Sequence, residues 1–213
     1  MISASPRYAW PVVALALLAA VPVWIHAARR PVHDPCAAAT QLAGLSRIGG
    51  MSVSTREVQA ARPGAVVLEG GASTLPRGVD DLGFRLERSF EPEAVYGLAS
   101  VRRFGSQYFV DLPVDLIALD TETGPIPVNW IESVQDQLFR LRAHVFVLDR
   151  KAVASPFLEG LGLAVPQLLG GTRPVTVLAF RAEGTAIQAE VMRERARKWL
   201  RGAWADYGRL CGG

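Results

Sequence analysis

The sequence predicts an α+β protein: an N-terminal transmembrane helix is followed by one mixed-sheet domain that ends in a long helix. Three observations lead to this fold class. An uncharged apolar segment lies near the N-terminus, short segments rich in Val, Leu and Phe follow it, and the C-terminal segment has apolar residues at helical spacing. About 180 residues remain after the first segment, which is enough for one domain with its own core.

The first element is a membrane anchor. The segment from Tyr8 to Ala28 carries no formal charge and is followed by two arginines. At about 1.5 Å per residue it would be roughly 30 Å long, which matches the hydrocarbon thickness of a bilayer. Trp10 and Trp24 lie near its two ends, where interfacial aromatic residues are common. We expect a retained anchor after a short tail at residues 1–7, with a cleaved secretory signal as the alternative.

The two cysteines bear on the side of the membrane. Cys36 and Cys211 lie near the two ends of the chain after the anchor. Because the termini of a domain often lie close together, a Cys36–Cys211 disulfide would close the fold, and two free thiols are the alternative. Disulfides persist outside the cytosol. The prediction is a single-pass inner-membrane protein with a connector over residues 29–50 and a periplasmic or extracellular domain over residues 51–213.

The first half of the domain is predicted to form β-strands after a short helix over residues 36–45. Residues 66–68 are apolar and end at two glycines, and residues 83–90 alternate apolar with charged side chains. Residues 95–103 and 107–110 flank a Phe-Gly-Ser sequence that is typical of a hairpin turn. Such alternation favours antiparallel strands with one solvated face.

The second half is predicted to alternate strands with helices. Strands are expected at residues 114–119, 145–148 and 175–180, where apolar residues are nearly continuous, and a turn is expected at residues 120–125. The alternation predicts that part of the sheet is parallel. Further elements are an apolar helix or loop at residues 157–169 and a long last helix over residues 185–207. One more helix is expected from apolar residues at helical spacing: Trp130, Ile131, Val134, Leu138 and Leu141.

Composition argues against nucleic acid and nucleotide cofactors. The formal net charge is +3, but the basic residues are scattered, and lysine occurs only at Lys151 and Lys198. The abundance of Arg, Ala, Gly, Pro and Val is typical of a GC-rich bacterial genome. Residues 160–165 imitate the start of a dinucleotide-binding loop, but Val165 replaces the third glycine and no phosphate loop is present. No nucleic-acid partner and no cofactor are expected.

Carboxylates are the best catalytic candidates in the sequence. Asp115, Asp120 and Glu122 lie at or beside an apolar strand, where they could hold a divalent cation or act as general acid and base. Polar strand ends and a solvated hairpin loop are the alternative. His144 is the one histidine outside the membrane flank, and without a nucleophile motif we expect a structural side chain there. No spacing of His or Cys predicts a metal site.

The last helix is a candidate interaction surface. Trp199, Trp204 and Tyr207 belong to an apolar stripe that also contains Ile187, Val191, Ala203 and Leu210, and Arg197 and Arg201 are among the arginines beside it. A basic amphipathic helix with tryptophans can bind a partner or an anionic bilayer. The alternative is a helix that packs its own apolar stripe on the sheet.

These features predict a membrane-anchored accessory or scaffold subunit of a bacterial envelope assembly, secretion or polymer-export system. The subunit would act by protein–protein contact in the envelope, without catalysis. Two other functions stay open. One is a membrane-tethered hydrolase or transferase that uses the carboxylates with a divalent cation. The other is a glycan- or lipid-binding module in which residues 157–169 line a cleft.

Overall fold

A computed structural model describes residues 39–58, 65–89, 114–148, 150–155 and 174–211. In this part of the chain, nine strands form one sheet, and a long C-terminal helix packs on one of its faces. The elements are α1 Ala39–Gly44, β1 Arg47–Ile48, β2 Met51–Val58, β3 Val66–Gly71, β4 Val79–Ser89, β5 Asp115–Thr121, β6 Gly124–Gln135, β7 Leu138–Leu148, β8 Lys151–Val153, β9 Val175–Thr185, a 3-10 turn Ala186–Gln188, and α2 Ala189–Cys211.

The last strand lies in the middle of the sheet. The strand order is β1-β2-β3-β4-β9-β7-β6-β5, and β8 pairs with β7. Strands β1 to β4 and strands β5 to β7 form two meanders, and β9 joins them by pairing with β4 and β7. In this register Leu178 lies opposite both Leu86 and Val145. The two halves of the sheet therefore become one only when the C-terminal part of the chain is in place.

Trp199 organises the core between the sheet and α2. Its ring stacks on Phe84 at 5.3 Å and lies 5.8 Å from Phe180, measured between ring centroids. Its indole N–H donates to the carbonyl of Ile48 at 3.1 Å, so the buried polar atom is satisfied. One side chain thus links the helix to β1, β4 and β9. The buried residues of α2 are Met192, Ala196, Trp199, Leu200, Ala203, Tyr207 and Cys211.

The predicted helix through residues 130–141 is wrong. These residues belong to β6 and β7, which are joined by a two-residue loop at Asp136 and Gln137, both with positive φ. Apolar residues spaced three and four apart in the sequence lie on two strands that meet at this loop, so their helical spacing is accidental. The period that matters is two: along β7, alternate residues are buried under α2, and they are Phe139, Leu141, Ala143, Val145 and Val147.

The prediction that part of the sheet is parallel is also wrong. Every strand pairing within the described ranges is antiparallel. A parallel pair needs a long crossover connection, whereas β5, β6 and β7 follow one another through tight turns. The supported part of the prediction is a large antiparallel sheet with a C-terminal helix.

Several local predictions are confirmed. Strands occur around residues 66–68, 83–90, 114–119, 145–148 and 175–180, and a hairpin turn lies within residues 120–125. The short first helix and the long last helix are also present, although the last helix begins at Ala189. The anchor from Tyr8 to Ala28, the hairpin at residues 95–110 and the segment 157–169 lie outside the described residues. Among the helices that are described, none has the length and apolarity needed to cross a bilayer.

Candidate functional site

The structure does not bring the predicted carboxylates together. Asp115 begins β5 and Asp120 lies near its end, so about 17 Å of extended strand separates them. Glu122 lies in the exposed loop between β5 and β6. Among the residues that the structure describes, no three His, Cys, Asp or Glu side chains are grouped so that they could hold a metal ion. The geometry matches polar strand ends beside a solvated loop.

His144 lies on β7, on the sheet face opposite α2. Its ring meets the ring of Phe146 edge-to-face at 5.0 Å, and Ala179 of β9 lies opposite it in the ladder. Burial lowers the pKa of His144 to about 4, and the positive charge of Arg142 lowers it further in the same direction. The imidazole is therefore neutral at physiological pH. Its surroundings are those of a structural side chain.

The sheet face opposite α2 carries ion pairs that were not among the predicted site residues. The Arg85 guanidinium donates to Glu69 and Glu87, both at 2.7 Å. Two more ion pairs lie on the same face: Arg140 with Glu183 at 3.0 Å and Arg181 with Asp81 at 2.8 Å. This set contains three arginines and four carboxylates, so most of its charge is neutralised within the ion pairs. The signal in the sequence was the alternation of charged and apolar residues along β4.

The five residues predicted for the interaction helix all have contacts inside the domain. Trp199 and Tyr207 are 1% and 7% exposed and belong to the core. Trp204 donates from its indole N–H to the Thr123 hydroxyl at 2.9 Å. Arg197 lies over the ring of Trp130 at 5.5 Å, and Arg201 donates to the carbonyl of Asp120 at 3.0 Å.

The predicted apolar stripe differs from the buried face of the helix. Ile187 is 91% exposed and Val191 is also exposed, because both lie at or before the first turn of α2. The core-facing side instead includes Met192 and Ala196. The helix therefore packs its own apolar face on the sheet. Another side of the helix contacts the β5–β6 hairpin through Arg201 and Trp204.

Among the described residues, β5 is an outer strand of the sheet, although its sequence is almost continuously apolar. In its register with β6, Asp120 lies opposite Pro125 and Ala118 lies opposite Pro127. Proline has no N–H, so neither proline can donate a hydrogen bond to β5. The Asp120 carbonyl is instead the acceptor for Arg201, from outside the pair.

The backbone N–H and C=O of Asp120 point away from β6, and the same is true of every second residue along β5. Backbone groups alternate in direction in an antiparallel pair, so Ala118 and Leu116, like Asp120, direct their N–H and C=O away from β6, the partner of β5 among the described strands. The Leu116 side chain is 60% exposed, and Ala118 and Val114 are exposed as well. This row of backbone groups with small and apolar side chains is the candidate functional site, and we refer to residues 114–120 as the β5 edge.

Cys211 is buried at the end of α2 and is disulfide-bonded. Cys36, the other cysteine of the sequence, lies outside the described residues, so the Cys36–Cys211 pairing stays a prediction. Comparisons of this chain with protein-family models, with curated proteins and with solved structures find no match.

Proposed function

We propose that this chain is a membrane-anchored accessory or scaffold subunit of a bacterial envelope system, and that it binds an extended segment of another envelope protein along the β5 edge. The observation that carries the proposal is the row of backbone donors and acceptors at Leu116 and Ala118, which pairs with no other strand among the described residues. An extended segment that adds to a sheet edge gains main-chain hydrogen bonds from such a row, and side-chain pockets supply specificity.

The side chains of the β5 edge favour this role. Natural edge strands are shielded by charged residues, especially Lys, or by proline within the strand. Residues 116–119 are uncharged and lie between Asp115 and Asp120. At the other end of the described sheet, β1 pairs only with Met51 and Ser52, and beyond it β2 exposes Arg56 and Glu57. The two edges thus differ in chemistry. The apolar edge is the one suited to pairing.

Site-specific photocrosslinking tests the proposal. A photoreactive residue is placed at Leu116 in the full chain in its native membranes, and a matched one at Arg56 on the opposite edge. We expect one adduct of defined mass from position 116, identified by mass spectrometry and reproduced from the partner's side. Equal adducts from both edges, or an adduct with a second copy of this chain, would contradict the proposal.

A proline variant separates pairing from folding. Ala118→Pro removes an N–H that points away from β6, opposite a residue that is itself proline. We expect the position-116 adduct to disappear while the thermal unfolding temperature of the full chain stays close to that of the parent. An adduct that survives Ala118→Pro with equal yield would mean that the partner does not pair with this edge.

The cation-dependent enzyme predicts a different response. If Asp115, Asp120 and Glu122 bound a divalent ion, adding Mg²⁺, Ca²⁺ or Mn²⁺ would raise the unfolding temperature, and Asp120→Asn would remove the effect. Because Asp115 and Asp120 lie at opposite ends of β5, we expect no such shift. A cation-induced rise that is lost in Asp120→Asn would overturn the scaffold assignment.

A further inference from the structure

A basic cleft lies between the start of the sheet and the first half of α2. Its volume is about 250 Å³, and its walls come from the β1–β2 hairpin, the end of β3 and α2. Arg47, Arg195 and Lys198 supply three positive charges from two of these walls. Ser52, Ser73 and Thr74 add hydroxyl donors. These parts are far apart in the sequence.

The charge balance of the cleft is one-sided. Among the described residues that line it, none is Asp or Glu. The Asp206 carboxylate nearby is already used: it accepts the backbone N–H of Gly49 at 2.8 Å and a hydrogen bond from Arg209. Arg47 donates to the Gly50 carbonyl at 3.1 Å, and a guanidinium has further N–H groups to offer. The cleft therefore combines a net positive field with several donors.

We propose that this cleft binds a phosphate group. Arg and Lys are the residues that recognise phosphate oxygens, and hydroxyl groups add hydrogen bonds to the same oxygens. The walls are exposed to solvent, so binding is expected to weaken as salt is added. The group is either the headgroup of an acidic phospholipid or a small soluble phosphate.

The position of the cleft along the chain favours the lipid source. Residues 29–38 connect the predicted anchor to α1, and even fully extended they span only about 36 Å. The β1–β2 hairpin follows α1 directly. If the anchor is retained, the cleft lies within reach of the bilayer surface, where phosphate headgroups are concentrated.

The two lysines of the chain allow an internal control. Lys198 lines the cleft, whereas Lys151 is an exposed residue of β8. The full chain is reconstituted in phosphatidylcholine vesicles, with or without inorganic phosphate, and in vesicles that also contain phosphatidylglycerol. Both lysines are then acetylated under limiting reagent, and their rates are read by mass spectrometry. Neither lipid has a primary amine that would consume the reagent.

We expect acetylation of Lys198 to slow about fivefold at about 80% occupancy, with no change at Lys151. Protection by phosphatidylglycerol alone identifies a lipid headgroup, and protection by inorganic phosphate identifies a soluble ligand. Arg195→Gln should abolish the protection without changing Lys151. No protection in either arm, equal slowing of both lysines, or protection that survives Arg195→Gln would overturn the proposal.

Discussion

Arg193 of α2 holds Glu132 of β6 with two hydrogen bonds, from Nε at 2.8 Å and from Nη2 at 2.6 Å. The Trp130 indole donates to the same carboxylate at 2.6 Å. The hydrogen bond from Arg193 is the main reason that the pKa of Glu132 is lowered. This pair and the Arg197 contact with Trp130 fasten the helix to the strand next to the β5 edge.

Loss of this pair should destabilise the domain. We expect Glu132→Gln to lower the free energy of unfolding by about 1–2 kcal/mol, because the pair is bidentate and partly shielded from water. Glu190→Gln is the matched control, since Glu190 is an exposed partner of the same arginine, and its effect should stay below about 0.5 kcal/mol. Denaturant unfolding of the full chain in mild detergent measures both. Equal effects would show that burial of the pair has no energetic role.

Two adjacent glycines should differ sharply in their tolerance of a methyl group. A Cβ at Gly49 would lie 2.7 Å from both the Trp199 ring and the Trp199 carbonyl, whereas a Cβ at Gly50 would meet open space. Both have positive φ, which costs an alanine about 1 kcal/mol. We expect Gly49→Ala to lower the free energy of unfolding by about 2–4 kcal/mol and Gly50→Ala by about 1 kcal/mol. Similar losses for the two would contradict the contact.

His144 should make stability depend on pH. The pKa of this imidazole has its ordinary value of 6.5 in the unfolded chain, but burial lowers it to about 4 in the folded chain. Below pH 6.5 the unfolded state therefore binds more protons, and the free energy of unfolding falls as pH is lowered, by on the order of 3 kcal/mol by pH 4. His144→Gln should make this slope shallower between pH 6.5 and 5. Parallel unfolding curves for parent and variant in that range would count against it.

The predicted Cys36–Cys211 disulfide can be tested directly by thiol labelling. A thiol-reactive polymer should add mass to both cysteines of the native protein in isolated membranes only after reduction. That result would also favour an extracytoplasmic domain, because disulfides persist outside the cytosol. In the chain-entropy model a loop of this length is worth on the order of 5 kcal/mol, so reduction should lower the unfolding temperature. Tagging of both cysteines without reduction would rule out the pair.

Local signals explain which elements could be predicted. The strands around residues 66–68 and 175–180, the turn at 120–125 and the last helix have patterns that belong to one element each. The helix predicted over residues 130–141 was wrong because two strands and the loop between them have apolar residues at helical spacing. The positive φ of Asp136 and Gln137, which makes the loop, has only a weak signature in residues that also suit a helix surface.

The candidate surfaces were harder to predict because both are non-local. The apolar run of β5 suggested burial, and its place at the sheet edge depends on which strands pair with which. The basic cleft joins residues near positions 47–52, 71–74 and 195–199, which no sequence window contains together. The sequence shows the charges of α2. It does not show which carboxylates neutralise Arg193, or that the described walls of the cleft contain no carboxylate.

The sequence by itself determined the local elements: short β-segments, the turn after β5 and an amphipathic helix at the end. It did so because side-chain periodicity and turn chemistry act over a few residues. Only the tertiary structure decided that β9 lies between β4 and β7, that Trp199 belongs to the core, and that β5 is the outer strand of the described sheet. Those outcomes depend on how the strands and α2 share one apolar interior, and that competition involves the whole chain at once.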